Sequence, residues 1–122
     1  MAKAIQASVS AKVLLDTGDG DGACNRAYYA MFDAARAALL ASGAPVEPEV
    51  AKTHSGLISA FSLHLVKTGR VPIELGKSIN KVEDLRLIAD YKGDQISQED
   101  AAWAVAQAQT FVQAMRVTFI SK

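Results

Sequence analysis

The chain has 122 residues and a mass of 12.9 kDa, the size of one domain and too short for two of ordinary size, so a single unit over 1–122 is expected. Its 13 Lys+Arg balance 13 Asp+Glu at pI ≈ 6.7, which excludes a strong global field for nucleic acid or acidic membranes; any such contact has to be local. Apolar residues at 50% and charged residues at 21% exclude extensive disorder. The lone Cys24 excludes an intramolecular disulfide and reads as a small buried hydrophobe, and no run approaches the ~20 apolar residues of a membrane span, so a cytoplasmic protein without membrane contact is expected.

Much of the apolar content is alanine, which favours helices. Five helical patterns follow one another. The first covers about Ala2 to Asp16, with Ile5, Val9 and Val13 as an apolar line at four-residue spacing. The break DTGDGDG looks like a calcium loop, but aligning Asp19, Asp21 and Gly22 with an EF-hand places Tyr28 where a bidentate Glu is needed, so a turn is predicted. The second pattern, about Gly22 to Ala41, carries two lines: Tyr28, Phe32, Ala35 and Leu39, and a seam of Ala27, Ala30, Ala34, Ala37, Ala38 and Ala41. A helix with two such lines is central and contacted on both sides. Gly43 suits its C-terminal cap, and Pro45 and Pro48 stop it. The third pattern, about Val50 to Lys67, runs through Leu57, Phe61 and Leu65; the fourth, about Ile73 to Tyr91, carries Leu75, Ile79, Val82, Leu85 and Ala89 and ends before Gly93. The fifth starts at an acidic variant of the capping box, Ser97-Gln98-Glu99-Asp100, with Ile96 and Ala101 in staple positions, and its stripe runs from Ala101 to Phe119. No segment alternates with the period of a half-buried strand. The predicted fold is all-α.

Three segments in order, NRAYYAMFDAARAALL at 25–40, KTHSGLISAF at 52–61 and RLIADY at 86–91, give the chain its likeness to a known family. It resembles the HEPN superfamily, in particular the compact bacterial and archaeal members often encoded beside a minimal nucleotidyltransferase. The resemblance implies an up-and-down bundle of about five helices, a homodimer with a polar cleft between protomers, RNA or a nucleotide as ligand, and a nucleotidyltransferase partner. Many HEPN proteins are metal-independent ribonucleases whose motif is an arginine followed four to six residues later by a histidine. Arg86 matches the arginine, but Tyr91 stands where a histidine would, and Lys92-Gly93 supply none. Because family toxins can be controlled by nucleotide addition to a tyrosine near this motif, the resemblance makes Tyr91 a candidate acceptor.

The residues set their own constraints. At roughly 100° per residue Arg86 lies beside the Ile79/Val82/Ala89 face, whereas Tyr91 points about 140° away, so the two are not neighbours on one helical surface. Arg86 lies one turn from both Glu83 and Asp90, which is equally the pattern of solvated ion pairs. Asn25, Tyr29 and Arg36 fall along one edge, where donors, a π-face and a cation could take a phosphate and a base; Tyr28 reads as core. His54 and His64 lack metal-pair spacing, so no metal or cofactor is expected: His54 is read as a cap or partner-facing group, His64 as structural. The expected function is a HEPN-type component of a nucleotidyltransferase-linked, toxin–antitoxin-like module. Arg86 and Tyr91 are its candidate catalytic residues, Asn25, Tyr29, Arg36 and Asp90 its candidate RNA- or nucleotide-binding residues. With a tyrosine at the histidine position, weak ribonuclease activity or none is expected. The alternative is a non-catalytic dimeric subunit that presents substrate to, or restrains, a separate nucleotidyltransferase.

Overall fold

The second helix organises the molecule. In a computed structural model that describes residues 1–91 and 95–120, the chain runs α1 (Ala2–Asp16), α2 (Gly20–Ser42), α3 (Pro48–Ala51), α4 (His54–Phe61), α5 (Ile73–Tyr91) and α6 (Gln98–Met115), with no strand among the described residues. It is an all-α bundle, as the sequence predicts, and α1, α4, α5 and α6 all pack on α2. Both lines of α2 are buried: Tyr28, Phe32, Ala35 and Leu39 on one, Ala27, Ala30, Ala34 and Ala38 on the other, while Ala41 is exposed. Small residues on the second line let neighbouring backbones come close, which a larger side chain would prevent.

That close approach decides which way α1 faces. Its conspicuous line of Ile5, Val9 and Val13 points outward, at 36%, 53% and 56% exposure, and the buried face is Ala4, Ala7 and Ala11. Side-chain volume wins over hydrophobicity here, because an alanine face fits α1 against the packed bundle and an isoleucine–valine face would overpack it.

The turns hold for local reasons. Asp19 caps α2, its Oδ1 accepting from the Gly22 N–H at 2.8 Å, and Asp21 accepts from the Ile96 N–H at 2.8 Å, so two acids of DTGDGDG are committed to holding the turn. Gly43 ends α2 in the left-handed region at φ 74°. The single helix expected over Val50–Lys67 is divided. Pro48 opens the short α3, and Thr53 then takes an extended backbone and caps α4, accepting from the Gly56 N–H at 3.0 Å. A Cβ on Gly56 would clash with the Val50 carbonyl oxygen, so glycine permits this corner. Past Phe61 the helix widens into a π turn over Ser62–Val66, and Lys67 N–H donates to the Ser62 carbonyl at 2.8 Å. Ser97 caps α6 by accepting from the Asp100 N–H at 3.0 Å, with Ile96 and Ala101 buried beside it. Gly93, the expected stop of α5, lies outside the described residues.

Candidate functional site

Three helices converge on the side of α2 that carries its aromatic line. At positions 25, 28, 29 and 32, spaced to share one face, α2 presents Asn25, Tyr28, Tyr29 and Phe32. From α5 come Glu83, Arg86 and Asp90, again on one face, and the Thr53 cap brings His54 in as the first residue of α4. The phenol of Tyr28 joins the three helices, because its hydroxyl donates to Glu83 Oε2 at 3.0 Å and lies 3.1 Å from His54 Nδ1.

Arg86 is the buried charge of this region. It is 6% exposed, whereas the surface ion pairs read from its spacing would have left it solvated. Nη1 donates to Asp90 Oδ2 at 3.1 Å, and the guanidinium carbon sits 4.6 Å from the Tyr28 ring centroid and 5.7 Å from that of Tyr29. The ion pair and the two π-faces offset a desolvation cost that an isolated guanidinium could not bear. Nε is buried and meets no acceptor among the described residues, a state that costs about 1–3 kcal/mol. Asn25 Nδ2 reaches the same Asp90 Oδ2 at 3.5 Å, and Arg26 lies over Tyr29 at 5.5 Å.

Burial of Tyr28, and then its hydrogen bond to Glu83, push the phenol well above its ordinary range, so it keeps its proton at neutral pH. The single hydroxyl hydrogen of Tyr28 is donated to Glu83 Oε2. Toward His54 the same oxygen can then only accept, which assigns the imidazole hydrogen to Nδ1. The ring is held between aromatic neighbours, with centroids 4.9 Å from Phe32, 5.5 Å from Tyr28 and 5.6 Å from Tyr29. Cys24 on the same helix is fully buried, and burial pushes its thiol up to about 12.

Of the residues singled out in the sequence, Arg86, Asp90, Asn25 and Tyr29 lie together. Arg36 stands one step away: it packs over Phe32 at 4.8 Å, pairs with Asp33 at 3.7 Å and faces a separate apolar groove of about 370 Å³ that includes Leu39, Val46 and Leu57. Tyr91 is not in the cluster; it is 76% exposed. Three participants were missed. Tyr28 is core, as expected, yet its hydroxyl is the junction; Glu83 serves that hydroxyl; His54 follows its cap into the cluster. Only the THSG cap signature hinted at the last, since the partners of Tyr28 stand 26 and 55 residues along the chain. Among the described residues no group of three or more His, Cys, Asp or Glu is placed to hold a metal ion, and no helix is long and apolar enough to cross a membrane.

A family model described as HEPN domain matches residues 1–118. The chain belongs to the HEPN family. A UPF0332 protein of Gloeobacter violaceus is 41% identical over 115 residues, covering 93% of this chain and 87% of the relative. A Methanocaldococcus jannaschii protein named "Putative toxin MJ0605" is 36% identical over 103 residues, covering 84% and 73%, and a UPF0332 protein of Thermotoga maritima is 40% identical over 90 residues, covering 74% and 64%. In this HEPN chain the arginine of RLIADY is thus a buried, aromatic-flanked cation, and the imidazole of the cluster comes from another helix.

Proposed function

We propose that this chain is the HEPN component of a toxin-like module and binds the phosphate backbone of RNA, or a nucleotide, at the Arg86 cluster. The cleft that completes the site would be shared with a second copy, and a minimal nucleotidyltransferase would be the controlling partner, with the exposed Tyr91 as the acceptor of its nucleotide. The observation that carries this reading is Arg86 itself. A planar guanidinium lies over two tyrosine rings with a buried donor, Nε, that meets no acceptor among the described residues, and a phosphate oxygen is a fitting partner for such a fork. Tyr29 supplies a half-buried π-face beside it for a base. The toxin name of a relative agrees with the module, and the balanced charge agrees with a local contact instead of a broad basic surface.

Asp90 favours a second reading. Its carboxylate already holds Arg86 at 3.1 Å, which suits a non-catalytic dimeric subunit that restrains or feeds a separate nucleotidyltransferase. Fluorescence anisotropy with labelled single-stranded RNA decides between them, using wild type and Arg86→Met under matched salt. RNA binding that weakens at least ~10-fold in Arg86→Met supports the first reading, in line with one lost charge-assisted contact. Wild type that stays unbound to RNA at high micromolar concentration sinks it, and co-purification with the nucleotidyltransferase would then carry the second. Light scattering supplies the solution mass, and a monomer would remove the shared cleft.

A further inference from the structure

The family motif leaves this chain without a histidine after Arg86, yet the structure holds an imidazole against the same ring on which Arg86 lies. We propose that His54 is the general base of RNA cleavage at this site, with Tyr28 and Glu83 as the residues that position it. The inference rests on the RNA-binding reading above and adds the reaction and the group that drives it.

The geometry points to a chain of three groups. Glu83 Oε2 accepts from the Tyr28 hydroxyl at 3.0 Å, and the Tyr28 oxygen accepts from His54 Nδ1–H at 3.1 Å. Fixing the hydrogen on Nδ1 leaves the lone pair on Nε2. This is the logic by which a carboxylate orients a catalytic imidazole, extended here by one phenol. Contact with Phe32, Tyr28 and Tyr29 limits the tilt of the ring. Arg86 and His54 lie against the same Tyr28 ring, at 4.6 and 5.5 Å from its centroid, and against the same Tyr29 ring, at 5.7 and 5.6 Å. A proton acceptor and an anion-stabilising cation therefore flank one pair of aromatic faces.

The step balances without metal or cofactor. His54 Nε2 takes the proton of a ribose 2′-hydroxyl, O2′ forms its bond to the adjacent phosphorus, and the bond from phosphorus to the 5′-oxygen breaks. The departing oxygen takes a proton from water, and the imidazolium returns its own to solvent. Arg86 stabilises the added negative charge on the phosphoryl oxygens. The products are a 2′,3′-cyclic phosphate and a 5′-hydroxyl, and DNA, lacking the 2′-hydroxyl, is left intact.

The test measures binding and cleavage separately on fluorescein-labelled single-stranded RNA and its DNA counterpart, in chelator, with wild type, His54→Gln, Tyr28→Phe and, as a control, His64→Gln. His54→Gln is expected to bind RNA within about twofold of wild type and to cleave it on the order of 100-fold more slowly. Tyr28→Phe should cleave about 10-fold more slowly, and His64→Gln should match wild type. His54→Asn replaces His54→Gln if circular dichroism shows a loss of fold. Long-range ¹H–¹⁵N spectra of the neutral ring give a readout that needs no substrate. Wild type should show the Nδ1–H tautomer, and Tyr28→Phe should shift it toward Nε2–H. Equal cleavage by wild type and His54→Gln overturns the inference, as does an Nε2–H tautomer in wild type. RNA bound but uncleaved by wild type also overturns it while leaving the RNA-binding reading standing; RNA left unbound removes both.

Discussion

The two long faces of α2 are built on opposite terms. On one, Ala23, Ala27, Ala30, Ala34 and Ala38 are wholly buried with no polar atom to satisfy, and α1 adds Ala4, Ala7 and Ala11 to the same apolar core. On the other, Tyr28, Tyr29 and Phe32 share their surroundings with an arginine, a histidine and two carboxylates. The first face depends on volume alone. The second depends on direction: each donor there needs its acceptor, and removing one strands another. A bundle needs only the first kind of face to fold, so the polar investment on the second is a pointer to function.

The largest effect should come from breaking the directional face at its centre. Arg86→Ala removes the cation, leaves Asp90 short of its partner and opens space between two tyrosines, and is expected to lower stability by about 3 kcal/mol in urea titration. Arg86→Met combined with Asp90→Asn should recover most of that loss, since it fills the volume and removes both charges. If the single and double variants are equally unstable, the packing of Arg86 and not its charge holds this face. The alanine face is broken differently. Ala11→Leu inserts three carbons where nothing can yield and should lower stability by about 2 kcal/mol by overpacking, while Val13→Leu on the exposed side of the same helix should leave the urea midpoint unchanged.

This contrast also marks what could be read from the chain. Helix periodicity, Gly43, Ser97 and the two lines of α2 were legible because each is a local signal, carried within one turn or one heptad. The four residues Asn25, Tyr29, Arg86 and Asp90 were found by family likeness and face geometry. The junction was not, since whether a buried tyrosine's hydroxyl meets Glu83 or His54 depends on how α4 and α5 dock on α2. The outward turn of Ile5, Val9 and Val13 escaped for a related reason: hydrophobic spacing reports an apolar line, and only packing reports which of two lines fits.

Tyr28→Phe sharpens the comparison with a smaller loss, about 1 kcal/mol at neutral pH, because Glu83 and His54 are only half-buried and water can replace the hydroxyl. Its alkaline behaviour is more telling. Tyr28 is raised above its ordinary value of 10.0 and Cys24 goes from 9.0 to about 12, so each keeps its proton in the folded chain after the unfolded chain has released it. Their contribution is whole below about pH 9 and is lost as pH rises toward 12, with the cysteine leading and the tyrosine following. Wild type should therefore lose stability across that window. Tyr28→Phe should flatten its upper part and Cys24→Ala its lower part, both measured as urea midpoint against pH.

The smallest effect is expected on the far side of α5. Tyr91 is 76% exposed and about 140° around the helix from Arg86, so Tyr91→Phe should change stability by less than about 0.5 kcal/mol. It should also leave RNA affinity within about twofold, because a residue facing that way does not reach the cluster of its own protomer. The two sides of α5 can be joined only by something outside a single chain. A larger loss of RNA affinity in Tyr91→Phe, with stability unchanged, would bring that exposed phenol into a site completed by a second copy, and the same variant would then lose its effect in a monomer.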